Sequence, residues 1–180
     1  MLIAVIGLVV VATLLFVAYR FVISNPHTTT ITTVPTTTIQ RIFQITGCMN
    51  VNEPGSYYLS QSINVRLASG PCINVTANNV KLIGNGNKIV GSGPFVGIPP
   101  FTYGILLKNV KNVSITGLNL EQFSYGLYMM GSSNVTVNFE NISKSAIAGM
   151  ILNGSNNNFI SNTTVTNRSI AGIVLLRSYN

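Results

Sequence analysis

Residues 103–120, YGILLKNVKNVSITGLNL, decide the fold of this chain. Aliphatic residues alternate with polar ones as in a strand, but Gly and Asn interrupt them every few residues as in a loop. The same pattern returns in YGLYMMG, AGMILNG and AGIVLLR, which begin at residues 125, 148 and 171. Their glycines, and that of the first segment, are spaced by 22, 23 and 23 residues, at Gly104, Gly126, Gly149 and Gly172. The chain therefore repeats a unit of 22 or 23 residues.

A unit this short cannot bury its own apolar side chains, so successive units must stack. Stacking in parallel lets each strand hydrogen-bond to its equivalent one unit later, about 4.8 Å away. The sequence therefore predicts an all-β fold, a short parallel β-helix over residues 42–180. Alternating positions of the first strand are predicted to point inward, namely Ile105, Leu107, Leu127, Met129, Met150, Leu152, Ile173 and Leu175. The residues predicted to turn the corners are Asn79, Asn112, Asn134, Asn157 and Asn180, because Asn tolerates a left-handed backbone.

The charge pattern excludes a nucleic-acid partner. The formal net charge is +7, from ten Lys and Arg against three Glu, with no Asp. The basic residues are scattered and form neither a run nor a basic helix, and no nucleic-acid motif is present. The balance favours anionic partners only weakly.

The N-terminal part predicts a membrane anchor on a stalk. Residues 2–19 are an uninterrupted apolar run, and FVI extends it after Arg20. The segment is long enough for a transmembrane α-helix within residues 1–23. A cleaved signal peptide is the alternative, but no basic leader or small-residue cleavage site is evident. Residues 24–41 are rich in Thr and Pro and predict an extended stalk, in which the lone His27 is solvated.

The remaining residues suit an extracellular location on a single-pass membrane protein. Cys48 and Cys72 are predicted to form a disulfide that staples the start of the domain, which requires an oxidising compartment. Seven N-x-S/T sequons follow. Those at Asn112 and Asn134 occupy corner positions, so glycosylation is expected at Asn74, Asn141, Asn153, Asn162 and Asn167.

Several segments resemble one known family: EPGSYYLSQSI, CINVTANNVKLIGNGNKIVG, YGILLKNVKNVSITGLNL and YGLYMMGSSNVTV. They are similar to the right-handed parallel β-helix repeats of the NosD-like and carbohydrate-binding/sugar-hydrolase family, over residues 46–180, and the chain looks like an archaeal surface member. Polysaccharide lyases, epimerases, glycosidases, adhesins and a copper-site maturation protein share this resemblance, so it implies the fold and no single activity. Members generally have more coils, so we expect either that this chain is a truncated paralogue or that something else caps its open last coil.

The candidate catalytic residues are few. Polysaccharide-modifying enzymes of this fold generally need clustered carboxylates, and the only candidates are Glu121 and Glu140, with Lys108, Lys111 or Lys144 nearby. Glu140 aligns with the apparently inward Leu118, so it is either a buried carboxylate or one displaced to solvent. No metal or cofactor site is predicted, because Met129 and Met150 occupy core positions.

A surface feature is more prominent. Outward positions of the first strand form an apolar stripe of Leu106, Tyr128, Met130, Ile151, Val174 and Leu176. Such a stripe is normally covered, either by the insertion at residues 91–101 or by a partner. Tyr103 and Tyr125 stack beside it, as a structural pair or as a sugar-binding platform.

The sequence therefore favours a non-catalytic surface module, either structural, adhesive or glycan-binding. The alternatives are a polysaccharide-modifying enzyme (lyase, hydrolase or epimerase) and a truncated paralogue. Predicted partners are the membrane through residues 1–23, a glycan or surface-layer component, and a second copy through the stripe or the open last coil.

Overall fold

The computed structural model describes residues 41–93, 100–138, 141–166 and 170–179. The predicted anchor and nearly all of the stalk lie outside these ranges. None of these described residues belongs to a helix that could span a bilayer.

The described residues form 17 β-strands. In chain order the strands are β1 (Ile42–Ile45), β2 (Met49–Val51), β3 (Gly55–Leu59), β4 (Ile63–Asn64), β5 (Gly70–Val75), β6 (Val80–Ile83), β7 (Lys88–Val90), β8 (Thr102–Lys108), β9 (Lys111–Thr116), β10 (Asn119–Glu121), β11 (Tyr125–Met130), β12 (Ser133–Asn138), β13 (Asn141–Ser143), β14 (Ala148–Asn153), β15 (Phe159–Ser161), β16 (Thr164–Thr166) and β17 (Ala171–Leu176).

The strands build three parallel sheets that run along the stack of coils. Sheet A has the order β1-β3-β6-β9-β12-β15, sheet B the order β17-β14-β11-β8-β5-β2, and sheet C the order β16-β13-β10-β7-β4. From β2 onward each coil visits sheets B, A and C in turn before returning to B. The fold is thus a parallel β-solenoid of about five turns, which confirms the predicted all-β coil stack.

The core is a set of aliphatic columns, one side chain per coil. In sheet B, Leu107, Met129 and Leu152 occupy equivalent positions on adjacent strands, and each is at most 4% exposed. Sheets A and C add equivalent columns such as Ile115 with Val137 and Leu120 with Ile142, all buried. The inward assignment from the sequence is confirmed for these coils. At about 1.5–3 kcal/mol per fully buried aliphatic side chain, each added coil stabilises the stack.

In the last described coil, the residues equivalent to these buried columns are exposed. Ile173 and Leu175 hold the predicted register, opposite Met150 and Leu152, yet they are 46% and 61% exposed. The reason is that β17 pairs with β14 on one side and has no described strand on the other. The predicted register of these two residues is therefore kept, but no described strand covers their side chains.

Asparagine turns the corner before sheet A in successive coils. Asn79, Asn112, Asn134 and Asn157 all have φ between 54° and 57°, a left-handed conformation that Asn adopts more easily than most residues. The amide Nδ2 of Asn112 donates to Oδ1 of Asn79 at 3.1 Å. The predicted corner positions are confirmed there, and this amide bond links two successive coils, while Asn180 lies outside the described residues.

A ladder of serines, not foreseen from the sequence, lines the same corner. Ser132, Ser155 and Ser178 recur at the repeat spacing. The Oγ of each accepts the backbone N–H of the equivalent residue one coil earlier, at 3.0–3.3 Å. Each hydroxyl also donates to the carbonyl two residues before it. The hydroxyls thereby satisfy backbone groups at a corner where sheet pairing is interrupted.

The repeated glycines are required by close backbone approach. A Cβ at Gly126 would lie 2.7 Å from the carbonyl oxygen of Gly149 and against the side chain of Ile142. Gly104 and Gly149 meet the next coil in the same way. A Cβ at Gly172 has nothing within 4 Å. The repeated glycines in the sequence thus mark the positions where a strand of sheet B lies against the next backbone of sheet B and against side chains of sheet C.

The predicted disulfide between Cys48 and Cys72 is present. The two cysteines precede Met49 and Ile73, which pair directly across β2 and β5. The bond therefore fastens the first strand of sheet B to the next coil. Cys72 is buried and Cys48 is exposed.

Replacing Gly126 by Ala tests the close approach between coils. The added methyl group has no space, so the free energy of unfolding should fall by about 2 kcal/mol. The equivalent change Gly172→Ala serves as the control and should alter it by less than about 0.5 kcal/mol. Urea unfolding measures the free energy of unfolding of both variants. An equal loss of stability in the two would contradict the close approach of coils at Gly126.

Removing the disulfide should destabilise the solenoid. Closing a loop of 24 residues contributes about 3 kcal/mol in the chain-entropy model. We expect the double variant Cys48→Ala/Cys72→Ala to lose about that amount in chemical unfolding. Reductant should lower the stability of the wild type similarly and leave the variant unchanged. A wild-type protein whose free energy of unfolding does not change with reductant would contradict a stabilising role of this disulfide.

Candidate functional site

The outer face of sheet B carries two columns of side chains. One column runs through Pro71, Tyr103, Tyr125, Ala148 and Ala171, which pair in register across β5, β8, β11, β14 and β17. The other runs three residues further along each strand, through Asn50, Asn74, Leu106, Tyr128, Ile151 and Val174. The face therefore changes from amides to aromatic and then aliphatic groups along the stack.

Four aromatic rings meet on this face, and we call Phe101, Tyr103, Tyr125 and Tyr128 the tyrosine cluster. Tyr103 and Tyr125 are stacked, with ring centroids 5.3 Å apart and planes inclined by 13°. Tyr128 stands edge-on to both at 5.6 Å, and Phe101 meets Tyr125 edge-on at 5.6 Å. Offset-stacked and T-shaped pairs are the favoured geometries for aromatic rings. The stacked arrangement predicted for Tyr103 and Tyr125 is confirmed.

The hydroxyls of Tyr103 and Tyr125 stay protonated at neutral pH. Burial, and secondarily the neighbouring Tyr128, raises the pKa of Tyr103 above its usual value of 10.0. Burial, followed by Tyr103 and Tyr128, likewise raises the pKa of Tyr125. Asn153 lies beside them, and its Nδ2 donates to the Tyr128 hydroxyl at 3.5 Å. Each phenol can both donate and accept a hydrogen bond.

The predicted apolar stripe is only partly open. Met130 and Leu176 are 38% and 45% exposed, and Leu106, Tyr128 and Val174 are half-buried. Ile151 is 8% exposed, so this position of the stripe is already covered among the described residues. Of the insertion expected to cover the stripe, residues 94–99 lie outside the described residues. Phe101, at the end of that insertion, contacts Tyr125.

A different, charged group lies on the outer face of sheet C. The carboxylate of Glu121 accepts a hydrogen bond from Nζ of Lys144, and Nζ of Lys88 lies 3.8 Å from it. The hydrogen bond from Lys144 lowers the pKa of Glu121 below its ordinary value, although partial burial acts in the opposite direction. Lys88 lowers it further. Glu121 is thus held ionised.

These positions bear on the hypothesis that the chain is a polysaccharide-modifying enzyme. Lys144 does reach Glu121, as the sequence allowed, and Lys88 was missed because it precedes Glu121 by a whole coil. Lys108 and Lys111 lie at the corner between sheets B and A instead. Glu140 lies outside the described residues. In the described ranges, no three His, Cys, Asp or Glu side chains come together as a metal site.

The comparison with known families agrees with this fold. A family model described as "Periplasmic copper-binding protein (NosD)" matches residues 35–180. The chain belongs to the NosD family. No curated protein and no solved structure matches it. The family's periplasmic description agrees with a domain that carries a disulfide and lies outside the cytoplasm.

Four of the five sequons expected to be glycosylated in this NosD-family chain lie in the described ranges. Asn162 is exposed, whereas Asn141 and Asn153 are half-buried. Asn74 is half-buried as well, and its Nδ2 donates to Oδ1 of Asn50 at 3.0 Å. Asn162 is therefore the most accessible of the four, and Asn167 lies outside the described residues.

The ion pair of Glu121 should make stability depend on pH. Because the folded-state pKa lies below the ordinary value of 4.5, the stabilisation is present above that value and is lost as pH falls through the folded pKa. Lys144 is half exposed, so solvent reduces the effect. We expect the unfolding free energy of wild type to exceed that of Glu121→Gln at pH 7 and the gap to narrow as pH falls below 4.5.

Urea unfolding of both proteins at pH 7, 5 and 3 measures this gap. All other groups are common to both proteins, so their contributions cancel in the comparison. A gap that stays constant over this range would contradict the assigned pKa shift.

Proposed function

We propose that this protein is a non-catalytic glycan-binding module at the cell surface. The tyrosine cluster on the outer face of sheet B is the proposed binding site. As part of this proposal, the apolar residues 1–23 anchor the chain in the membrane. The family's periplasmic description and the disulfide support a location in an oxidising compartment.

One observation carries the proposal: three tyrosine rings pack together on a partly apolar face, and the Asn153 amide donates to the hydroxyl of one of them, Tyr128. Sugars present hydroxyl groups that need donors and acceptors, beside C–H faces that pack on aromatic rings. Because Tyr103 and Tyr125 stack on each other, they offer ring edges and hydroxyls to a ligand more than open ring faces. The site is therefore expected to bind mainly by hydrogen bonds.

The state of Glu121 supports a non-catalytic role. Glycoside hydrolysis needs a carboxylic acid that holds a proton at the working pH, opposed to a second carboxylate. Glu121 is instead ionised by Lys144 and Lys88. Of the other glutamates, Glu53 is ion-paired with Arg41, on the N-terminal coil. These two carboxylates provide no acid–base pair.

The family description raises copper binding for this chain, but the described residues do not fit it. Copper sites use converging thiolate, thioether or imidazole ligands. Both cysteines are joined in the disulfide, and Met129 and Met150 are fully buried between aliphatic neighbours. Met130 is exposed, on the outer face of sheet B. Copper binding is therefore not part of the proposed function.

Removing the hydroxyls while keeping the rings tests the proposal. The purified full chain is titrated with a panel of soluble polysaccharides that includes neutral dextran and acidic polygalacturonate. We expect at least one to bind, and the triple variant Tyr103→Phe/Tyr125→Phe/Tyr128→Phe to bind it about tenfold or more weakly, because several hydrogen bonds are lost.

The matched control is Tyr58→Phe, a half-buried tyrosine of β3 in sheet A, which should bind like wild type. Mass analysis of the glycans afterwards should find no change. Absence of binding to the whole panel would sink the proposal, and glycan cleavage or epimerisation would replace it with the enzyme alternative.

A further inference from the structure

The charges of the described residues are distributed unevenly. Eight are cations and two are glutamates. Arg41 pairs with Glu53, and Lys88 and Lys144 pair with Glu121. Among the described residues, no carboxylate lies within ion-pair distance of the other five cations, which are Arg66, Lys81, Lys108, Lys111 and Arg177.

Three of these five cations share one corner of the solenoid. Lys108 ends β8 in sheet B, and Lys111 begins β9 in sheet A after a two-residue turn. Lys81 lies on the adjacent strand of sheet A, opposite Ser114. Three residues of strand separate Ser114 from Lys111, about 10 Å. All three lysines are exposed. They form a small cationic group, which we call the lysine corner.

The backbone that carries the lysine corner is firmly held. Val110, between Lys108 and Lys111, is fully buried, and its N–H donates to the Oγ of Ser132 at 3.3 Å. The N–H of Lys111 donates to Oδ1 of Asn78 at 2.7 Å. The N–H of Asn109 donates to the carbonyl of Met130 at 2.8 Å. The two lysines therefore project from fixed points, which reduces the ordering cost of binding an anion.

The lysine corner adjoins the tyrosine cluster. Lys108 lies two residues beyond Leu106 on β8, and Leu106 pairs in register with Tyr128. Lys108 itself pairs with Met130, directly after Tyr128 and Met129 on β11. Lys108 is therefore one strand and two residues away from Tyr128, or about 8 Å, a distance that an extended ligand on the outer face of sheet B can span.

We propose that the glycan bound at the tyrosine cluster is an acidic, carboxylate-bearing polysaccharide, and that Lys108 and Lys111 bind its carboxylates. The inference rests on the proposed glycan-binding function and names the substrate class. The tyrosine hydroxyls contact the sugar ring hydroxyls, while the lysine corner pairs with uronate groups further along the polymer. Hydrogen bonds between ammonium and carboxylate groups are stronger than neutral ones, so the lysines set the preference for acidic polymers.

The test compares two variants with the same loss of charge. Lys108→Ala/Lys111→Ala removes two of the three lysines of the lysine corner, and Arg66→Ala/Arg177→Ala removes two exposed cations elsewhere. Arg66 follows β4 in sheet C, and Arg177 follows β17, three strands from β8 in sheet B, or about 15 Å. Full-length wild type and both variants are titrated with polygalacturonate, dextran sulfate and neutral dextran at about 0.15 M salt.

We expect polygalacturonate to bind wild type more tightly than neutral dextran does. The lysine variant should lose about tenfold or more in affinity for polygalacturonate, and the arginine variant no more than about threefold. Circular dichroism and thermal unfolding should be alike for the three proteins, since all four substituted side chains are exposed.

Other outcomes overturn the inference in distinguishable ways. Equal losses in the two variants would make the effect one of net charge alone. Neutral dextran binding as tightly as polygalacturonate would remove the acidic preference but leave the glycan-binding function standing. Dextran sulfate binding without polygalacturonate would contradict the carboxylate assignment. No binding of any of the three polymers would overturn the acidic-glycan inference together with the proposed function.

Discussion

Backbone pairing between coils, in register at every 22 or 23 residues, is the constraint on which the rest of this structure depends. A slip of one residue would turn the buried column of Leu107, Met129 and Leu152 outward and expose it. Glycines permit the pairing where sheet B passes sheet C, since a side chain at Gly126 would meet Ile142 and the next backbone. The disulfide fixes the same register at the first coils.

The register also produces the candidate site. A residue on one strand is repeated, or replaced, one strand spacing away in the next coil, so columns of like side chains arise on the outer faces. Tyr103 and Tyr125 stack because they are equivalent positions of successive coils. Glu121 meets Lys144 and Lys88 for the same reason, since its neighbours in space come from the coils before and after. Function on this fold is therefore a property of columns rather than of local motifs.

The repeat made most of the fold predictable from the sequence. Glycine spacing gave the register, and positions of Asn with left-handed φ gave the corners. Two features were less accessible. Lys88 and Glu121 are separated in sequence by the insertion at residues 91–101, so the regular repeat spacing does not place them side by side. Whether the lysine reaches the carboxylate also depends on the length of its side chain. Ile151 is covered although its outward position in the pattern is unchanged, because alternation gives the direction of a side chain and not what packs over it.

The central claim, that a glycan binds along the outer face of sheet B, can be tested by hydrogen–deuterium exchange of the full chain with and without a bound acidic oligosaccharide. The account predicts added protection in β8, β11 and the turn at residues 109–110, with β10 and β13 of sheet C unchanged. Added protection centred on Glu121 in sheet C, with sheet B unchanged, would contradict it and indicate a site on the charged face instead.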